Sequence, residues 1–310
     1  MEIVKVKKSR TNILKLVVRD KAYLLMVALP FLYYVIFHYL PMYGIIIAFK
    51  DYRVGRGFLG SEWVGFKWFV QFFYSPYFWR LIKNTFALSA LNIVFGFPAP
   101  IILSLFFNEM KSRRYKKIVQ TVSYLPHFIS TVIVVGILYN LFSVNGGLVN
   151  VLLERLGKQP INFFSISKWF RPLFVGSGIW QEMGFGTIIY LAAIAGIDQA
   201  LYDAASVDGC SRFMKNIYIT IPSIMPTIVI LLILNLGRIL SVGFEKIILM
   251  YTPVIYDVSD VISTYVYRQG ILNAEFSYST AIGLFNSVVN LIFLISFNHI
   301  ARKVSETSLW

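Results

Sequence analysis

The fold is decided by one polar stretch between two apolar ones, DQALYDAASVDGCSRFMKNIYITIP, which covers Asp198–Pro222. Asp198 is a suitable N-cap, and the following residues Gln199–Asp208 contain no helix breaker. Gly209 is placed to end that helix, since glycine readily adopts the left-handed conformation found after helix C-termini. Ser211 is placed to cap a second short helix. The stretch therefore predicts a short helix, a glycine turn and another helix.

One face of the first predicted helix carries mostly small side chains. Leu201, Ala204 and Ala205 are spaced i, i+3 and i+4, which places them on the same face. The alanines allow a partner to approach the backbone closely, and Asp203 offers a negative charge to an Arg or Lys of that partner. The alternative is an ordinary polar hairpin without a partner.

The rest of the chain is too apolar for a soluble protein. Hydrophobic residues make up 57% of the 310 residues and charged residues 14%, whereas soluble domains have about 25% charged residues. A soluble fold of this length cannot bury so much apolar surface. The chain is therefore predicted to be an integral membrane protein. Cys210 is the single cysteine, which excludes an internal disulfide, and the three histidines show no metal-ligand spacing.

Six apolar stretches are long enough to be membrane spans, since about 20 residues cross the roughly 30 Å hydrocarbon core. They predict an all-α membrane domain over residues 22–301, preceded by a basic segment 1–21 and followed by a tail 302–310. The fifth stretch is the shortest and has room to extend past Gly243. The predicted spans are Ala22–Phe49, Leu81–Phe107, Ile118–Phe142, Leu173–Gly196, Ser223–Leu240 and Tyr278–Ile300.

Lysine and arginine predict the orientation, because cytoplasmic loops carry an excess of both. With the N-terminus inside, 16 basic residues fall in inner segments and 13 elsewhere, and the loop Asn108–Lys117 contains five of the 16. Both termini are therefore predicted to be cytoplasmic, and the net charge of +14 is attributed to topology rather than to nucleic acid binding. The basic run Lys5–Lys21 fits either an amphipathic helix on the inner leaflet or a solvated tail.

The polar stretch resembles the cytoplasmic-loop signature of permeases from ATP-binding-cassette importers that work with a binding protein. That signature reads Glu-Ala-Ala, three residues, Gly, nine residues and Ile-x-Leu-Pro. This chain has Asp203-Ala204-Ala205, Gly209 and Ile219-Thr220-Ile221-Pro222 in the same register. Two positions depart conservatively from the signature, since Asp203 stands in place of Glu and Ile221 in place of Leu. The shorter acidic side chain keeps the charge.

Two further segments resemble sugar permeases of the polysaccharide type, which are distant relatives of the maltose permease. The first is Tyr39–Gly44, which continues into Ala48–Tyr52, and the second is Gln120–Phe128. The resemblance covers nearly the whole chain. It implies the six-helix type I importer permease fold and the import of an oligosaccharide across a bacterial plasma membrane.

The resemblance also implies a set of partners. These are a second, homologous permease, two copies of a cytoplasmic ATPase that binds ATP and Mg²⁺, and an extracellular sugar-binding lipoprotein. No Walker-type Gly-Lys-Ser/Thr motif is present in this chain, so no cofactor is expected here. The residues expected to couple this chain to the ATPase are Asp203, Ala204, Ala205, Gly209, Ile219 and Pro222.

Candidate sugar-binding residues lie in the two spans beside the loop, which also line the sugar site in maltose-type relatives. A charge inside a span costs about 2.5–3.5 kcal/mol, so Glu182 requires an explanation. Sugars are bound by aromatic faces and by planar polar groups, and this mixture is supplied by Trp180, Gln181, Glu182, Asn235 and Arg238. The alternatives are a structural Glu182–Arg238 pair or polar packing between two permeases. Asn286 and Asn290, spaced i, i+4, either face the cavity or join helices.

Two other protein classes compete with this interpretation. An ion-coupled secondary transporter of a polar solute is expected to have inverted repeats and carboxylates near the membrane midplane. Glu182 is the only acidic residue well inside a predicted span, which disfavours that class. A membrane enzyme would need a nucleophile with its base or a metal cluster, and the sequence offers neither. We therefore predict no catalytic residue in this chain.

Overall fold

Six helical segments account for the apolar stretches of the chain in a computed structural model that describes residues 19–305. Four are single helices long and apolar enough to cross a membrane, and two bent helix pairs bring the number to six. The predicted helical membrane protein is thereby confirmed, while most of the basic run, residues 5–18, lies outside the described residues. The spans, numbered in chain order, are Lys21–Phe49, Phe78–Glu109, Arg113–Phe128 with Thr131–Phe142, Ser167–Ala195, Arg212–Leu236 and Phe276–Lys303.

Prolines shape the spans locally. Three of the four π-helical turns within residues 19–305 end two residues before a proline, and these prolines are Pro41, Pro98 and Pro222. A proline ring clashes with the carbonyl four residues earlier, and a wider turn moves that carbonyl away. The helix therefore continues through each proline. The three turns are Val35–Tyr39, Asn92–Gly96 and Asn216–Thr220.

Span 3 is broken, so the prediction of one continuous helix over Ile118–Phe142 is wrong. Its two halves meet at 99°. Pro126 lies in a 3₁₀ turn before the break, and Ile129 and Ser130 are extended. The Ser130 hydroxyl then accepts a hydrogen bond from the Ile133 backbone at 3.4 Å and starts the second half. The chain bends here because an extended pair of residues interrupts the helical hydrogen bonds.

Span 5 starts and ends earlier than the predicted Ser223–Leu240. It begins at Arg212, so the second helix of the polar stretch runs directly into the membrane span. The helix ends at Leu236 and turn residues follow, which makes the predicted extension past Gly243 wrong. An ideal Cβ at Gly237 would lie 2.6 Å from a methyl group of Leu294 in span 6, so the helix end packs closely there.

Span 4 is the central helix of the bundle and packs against spans 2, 3 and 5. Small residues allow this close packing. An ideal Cβ at Gly184 would overlap the backbone carbonyl of Ser123, and one at Gly186 would lie 3.0 Å from Pro100. Side chains buried near its N-terminal end, Phe170 and Phe174, join an apolar core that includes Phe163 and Met250.

The segments between the spans contain short elements of their own. Strands β1 (Lys50–Asp51) and β2 (Glu62–Trp63) pair antiparallel, with Lys50 opposite Trp63. This pair is a small departure from the all-α prediction. The short helical elements are Val54–Arg56, Gly57–Gly60, Lys67–Phe73, Leu148–Arg155, Gln199–Val207, Phe244–Met250, Pro253–Ile255, Tyr256–Ser259, Ile262–Tyr267 and Arg268–Leu272.

A buried carboxylate joins the segment after span 5 to span 2. Asp260 is fully buried, and its side chain accepts hydrogen bonds from Arg80 at 3.0 Å and from Arg268 at 2.8 and 2.9 Å. Thr264 donates to the same carboxylate at 3.0 Å. The Asn84 amide donates to the backbone carbonyl of Asp260, also at 3.0 Å. We call these five residues the Asp260 cluster.

Span 4 is tied to the Asp260 cluster by one further bond. Arg171, near the start of span 4, donates to the Asn84 side-chain oxygen at 3.1 Å. Spans 2 and 4 and the segment between spans 5 and 6 therefore meet at one polar centre.

We predict that Asp260→Asn lowers the free energy of unfolding by about 3–5 kcal/mol, because it removes the carboxylate that pairs with two partly buried guanidinium groups, those of Arg80 and Arg268. Chemical unfolding of the purified protein in detergent, followed by tryptophan fluorescence, measures the change. Asp51→Asn is the matched control, since Asp51 pairs with the exposed Arg53 at 3.4 Å and should cost about 0–1 kcal/mol. Equal losses in the two variants would contradict the role given to Asp260.

Candidate functional site

A cavity with a volume of about 690 Å³ lies between spans 2, 4 and 5. The residues after span 5, through Lys246, close one side of it, and Thr131 reaches it from beyond the break in span 3. Its polar lining includes Asn92, Gln181, Glu182, Asn235, Arg238 and Lys246. Cavities of this size accommodate drug-sized or small oligomeric ligands.

Four of the five predicted sugar residues line this one cavity, and Trp180 does not. Trp180 is 45% exposed on another side of span 4. Asn235 donates to the Leu231 carbonyl of its own helix at 2.8 Å and is exposed. Arg238 is also exposed, in the turn after span 5 rather than inside the span. The structure thus brings residues from two separate spans to a common space, as the sequence predicts.

Gln181 bridges span 4 to the break in span 3. It is 8% exposed, and its Nε2 donates to the Ile129 carbonyl at 3.0 Å. That carbonyl belongs to the extended residues where the helical bonds are interrupted, so Gln181 replaces a lost helical donor. Gln181 therefore lines the cavity and also supports the bend.

Glu182 pairs with His127 rather than with Arg238 in the described structure. Its carboxylate lies 2.9 Å from His127 Nδ1. The imidazole also stacks on Phe185, with 4.0 Å between ring centres. The suggested structural Glu182–Arg238 pair is not formed, and Arg238 is left directed at the cavity without an ion pair among residues 19–305.

Lys246 also lines the cavity, although it is not among the sugar-binding residues predicted from the sequence. It is 8% exposed, and its ammonium donates to the Phe174 carbonyl of span 4 at 3.1 Å. Burial lowers the pKa of Lys246 to about 8, although the charge of Glu182 opposes that shift. The sequence contains one indication of this burial, because Lys246 lies in Phe244–Met250, a run in which all residues except Glu245 and Lys246 are apolar.

Asn290 joins helices rather than facing the cavity. Its side-chain oxygen accepts from the Leu240 backbone at 3.0 Å, and its amide donates to the Ser241 hydroxyl at 3.1 Å. Neither Asn286 nor Asn290 lines the cavity. Asn290 therefore fixes the turn that carries Arg238 onto span 6.

The polar stretch folds as its caps predict. Asp198 accepts a hydrogen bond from the Ala200 backbone at 2.9 Å and starts the helix Gln199–Val207. At the other end, Gly209 has φ +75°, and the Cys210 backbone donates to the Ala205 carbonyl at 2.9 Å. These features form a Schellman end, which satisfies the last carbonyls of the helix. We call Gln199–Val207 the loop helix.

The loop residues singled out in the sequence divide into exposed and buried ones. Asp203 and Ala204 are exposed, and the Asp203 carboxylate has one contact, with Gln199 at 3.4 Å. Ala205 is 9% exposed because it faces the chain itself. Gly209 and Pro222 are exposed, whereas Ile219 is half-buried. The same stretch also exposes three large apolar side chains, Leu201, Val207 and Phe213.

Side-chain bonds attach the loop helix to the start of span 5. The Tyr202 hydroxyl lies 2.9 Å from the Thr220 hydroxyl, and Lys215 donates to Ser206 at 2.5 Å. The Asn216 amide then donates to Glu109, the last residue of span 2, at 3.2 Å. The loop helix and the start of span 5 therefore form one unit that also contacts span 2.

Residues 96–306 match the family described as binding-protein-dependent transport system inner membrane component. The chain belongs to this family. It is a permease subunit, and its role is transport. The match includes the loop helix, spans 3 to 6 and most of the cavity lining.

Relatives of this permease are similar along nearly its whole length. Protein LplB of Bacillus subtilis (strain 168) is 47% identical over 292 residues, which cover 94% of this chain and 92% of LplB. The polygalacturonan/rhamnogalacturonan transport system permease protein YteP of the same strain is 44% identical, over 98% of this chain and 95% of YteP.

Solved structures confirm the fold of the permease. A chain of a bacterial ABC transporter involved in the import of the acidic polysaccharide alginate matches with a TM-score of 0.88 and 45% identity, over 94% of this chain and 99% of that chain. The alginate ABC transporter in complex with alginate pentasaccharide-bound periplasmic protein gives the same TM-score and identity, over 95% and 99%. The predicted ABC importer permease fold is therefore confirmed.

We predict that Gln181→Leu lowers the free energy of unfolding of the permease by about 0.5–1.5 kcal/mol, because it removes the hydrogen bond to the Ile129 carbonyl. Chemical unfolding in detergent measures the loss, and hydrogen exchange around residues 127–133 should rise with it. Trp180→Leu is the control, since the neighbouring Trp180 is exposed. Unchanged stability in Gln181→Leu would show that the bond to Ile129 does not support the break.

Proposed function

We propose that this chain is one of two permease subunits in an ATP-driven importer that moves an oligosaccharide across a bacterial plasma membrane. The observation that carries the proposal is that the cavity and the loop helix are built on the same two membrane spans. Spans 4 and 5 line the cavity with Gln181, Glu182 and Asn235, and the same two spans flank the loop helix. A movement of the loop helix would therefore reach the cavity walls directly.

The relatives support an oligosaccharide as the substrate. YteP is named for polygalacturonan and rhamnogalacturonan transport, and the structural neighbours are transporters of alginate, one of them bound to a protein that carries a pentasaccharide. The cavity supports the same class of ligand, because amide and charged groups can bind paired hydroxyls. In this proposal Gln181, Glu182, Asn235 and Arg238 bind the sugar, and Trp180 has no direct contact with it.

The loop helix would receive the force of ATP hydrolysis from a separate ATPase. Asp203 and Ala204 are exposed, and the same stretch exposes Leu201, Val207 and Phe213, so it offers a partner both a negative charge and apolar side chains. Two ATPase copies would bind ATP and Mg²⁺ and close on each other. The loop helix would then move together with the start of span 5 through the Tyr202–Thr220 contact.

A second permease would complete the translocation path. Span 1 supports this proposal, because its most apolar 18-residue window has no buried residue within this chain. Its exposed side chains, such as Phe31 and Phe37, are available to lipid or to another subunit. An extracellular lipoprotein would deliver the sugar at the side opposite the loop, and both termini would be cytoplasmic.

We expect proteoliposomes containing this chain, its partner permease and the ATPase to take up a binding-protein-delivered oligosaccharide only when ATP reaches the ATPase. Ionophores that collapse proton and sodium gradients should leave uptake unchanged, since no ion gradient is needed. The measurement is accumulation of a fluorescently labelled oligosaccharide. Uptake that persists without ATP and stops with ionophores would favour the ion-coupled transporter instead.

Asp203→Arg should weaken binding of the ATPase to the permease by ~30-fold or more, because reversing a charge inside an interface costs about 2–5 kcal/mol. Affinity is measured by titrating the purified ATPase onto the permease pair in nanodiscs. Asp208→Arg is the matched control, since Asp208 is exposed at the end of the same helix and a positive charge is favourable there. Comparable affinities for wild type and Asp203→Arg would remove Asp203 from the interface.

A further inference from the structure

Lys246 is a buried cation at the cavity wall that forms no ion pair with residues 19–305. It is the only buried Lys or Arg among the described residues. No carboxylate oxygen of those residues lies within 4.0 Å of its Nζ. Its single protein acceptor is the Phe174 carbonyl, and an ammonium has three donors. Two N–H groups are therefore left for something other than these residues.

A buried ammonium without a carboxylate is costly in a folded protein, because it has lost water without gaining an opposite charge. The structure nonetheless makes room for it. The residue opposite in span 4 is Gly178, where even an ideal Cβ would lie 3.6 Å from Nζ. The Phe174 ring lies 5.3 Å from the ammonium and offers only a weak cation–π contact. The missing negative charge is thus one that a ligand in the cavity can supply.

A second cation faces the same cavity. Arg238 lines it without an ion pair among residues 19–305, and a guanidinium matches a carboxylate with two parallel hydrogen bonds. The two acidic lining residues are Glu182, which is paired with His127, and Glu245, which is exposed. Their charges disfavour a doubly charged phosphate more strongly than a singly charged group. The cavity wall is therefore better suited to singly charged groups such as carboxylates than to phosphates.

We propose that the transported oligosaccharide is an acidic one and that Lys246, together with Arg238, binds the carboxylates of its sugar-acid units. This inference rests on the proposed function and specifies its substrate class. The ammonium of Lys246 would donate its two remaining N–H groups to one carboxylate. Arg238 would bind another carboxylate, or the same one, from the turn after span 5. Neutral sugar hydroxyls would leave Lys246 without an ion pair.

The test measures binding of defined oligosaccharides to the purified transporter complex in nanodiscs, without the binding protein. The probes are oligomers of galacturonate, glucuronate, and mannuronate with guluronate, each with a carboxyl-reduced neutral counterpart of the same length. A sulfated oligosaccharide of similar length is included. We expect at least one acidic oligomer to bind, and its carboxyl-reduced counterpart to bind about 10- to 100-fold more weakly, as for loss of a hydrogen bond to a charged group.

Variants then assign the effect to Lys246. Lys246→Met should weaken binding of the acidic oligomer by about 10- to 100-fold, and Lys246→Arg should retain most of it. Lys168→Met is the matched control, because Lys168 is an exposed lysine at the start of span 4 that does not line the cavity. It should bind like wild type. ATPase affinity is measured for every variant, so that a misfolded complex is recognised.

Several outcomes would overturn the proposal. These are preference for the neutral or sulfated chains, absence of binding by every acidic chain, and equal affinity in Lys246→Met and wild type. ATP-dependent uptake of a neutral oligosaccharide would overturn this inference and leave the proposed function intact. Absence of ATP-dependent uptake for any oligosaccharide would instead remove the proposed function.

Discussion

The buried carboxylate of Asp260 holds together the elements that form one wall of the cavity. It lies in the segment between spans 5 and 6 and is bound by Arg80 from span 2, while Arg171 ties span 4 to the same cluster through Asn84. Two guanidinium groups share this one carboxylate, so its removal would leave positive charge without compensation. The segment that carries Lys246 is thereby held against spans 2 and 4, and the cavity keeps its shape on that side.

Backbone irregularity is concentrated where side chains can compensate for it. In a membrane, every backbone polar group without a helical partner must be satisfied within the protein. The break in span 3 meets this requirement with Ser130 on one side and Gln181 of span 4 on the other. The turn after span 5 meets it with Asn290 of span 6 and with Ser89 of span 2, which donates to the Ile239 carbonyl. Both irregular sites border the cavity, so the groups that shape the cavity also preserve the helices around it.

Features that depend on neighbouring residues were predictable from the sequence, and features that depend on distant ones were not. Asp198 and Gly209 act within one or two turns, so the loop helix has the predicted ends. The 99° break was missed because the proline alone allows a continuous helix, and the donor that supports the break lies 52 residues away in Gln181. The place of Lys246 at the cavity could not be predicted for a similar reason, since its ammonium lies beside Gly178 and Phe174, which belong to span 4.

Span 5 connects the loop helix to the cavity. It is one helix of 25 residues, which corresponds to about 37 Å of length. The contact between Tyr202 and Thr220 fixes the loop helix to one end, while Asn235 and the turn with Arg238 lie at the other. Ala205 is buried, whereas Asp203 on the exposed side is available to a partner. In the proposed function, a force applied at Asp203 would reach the turn with Arg238 through span 5, while the Asp260 cluster holds the segment between spans 5 and 6 against span 2.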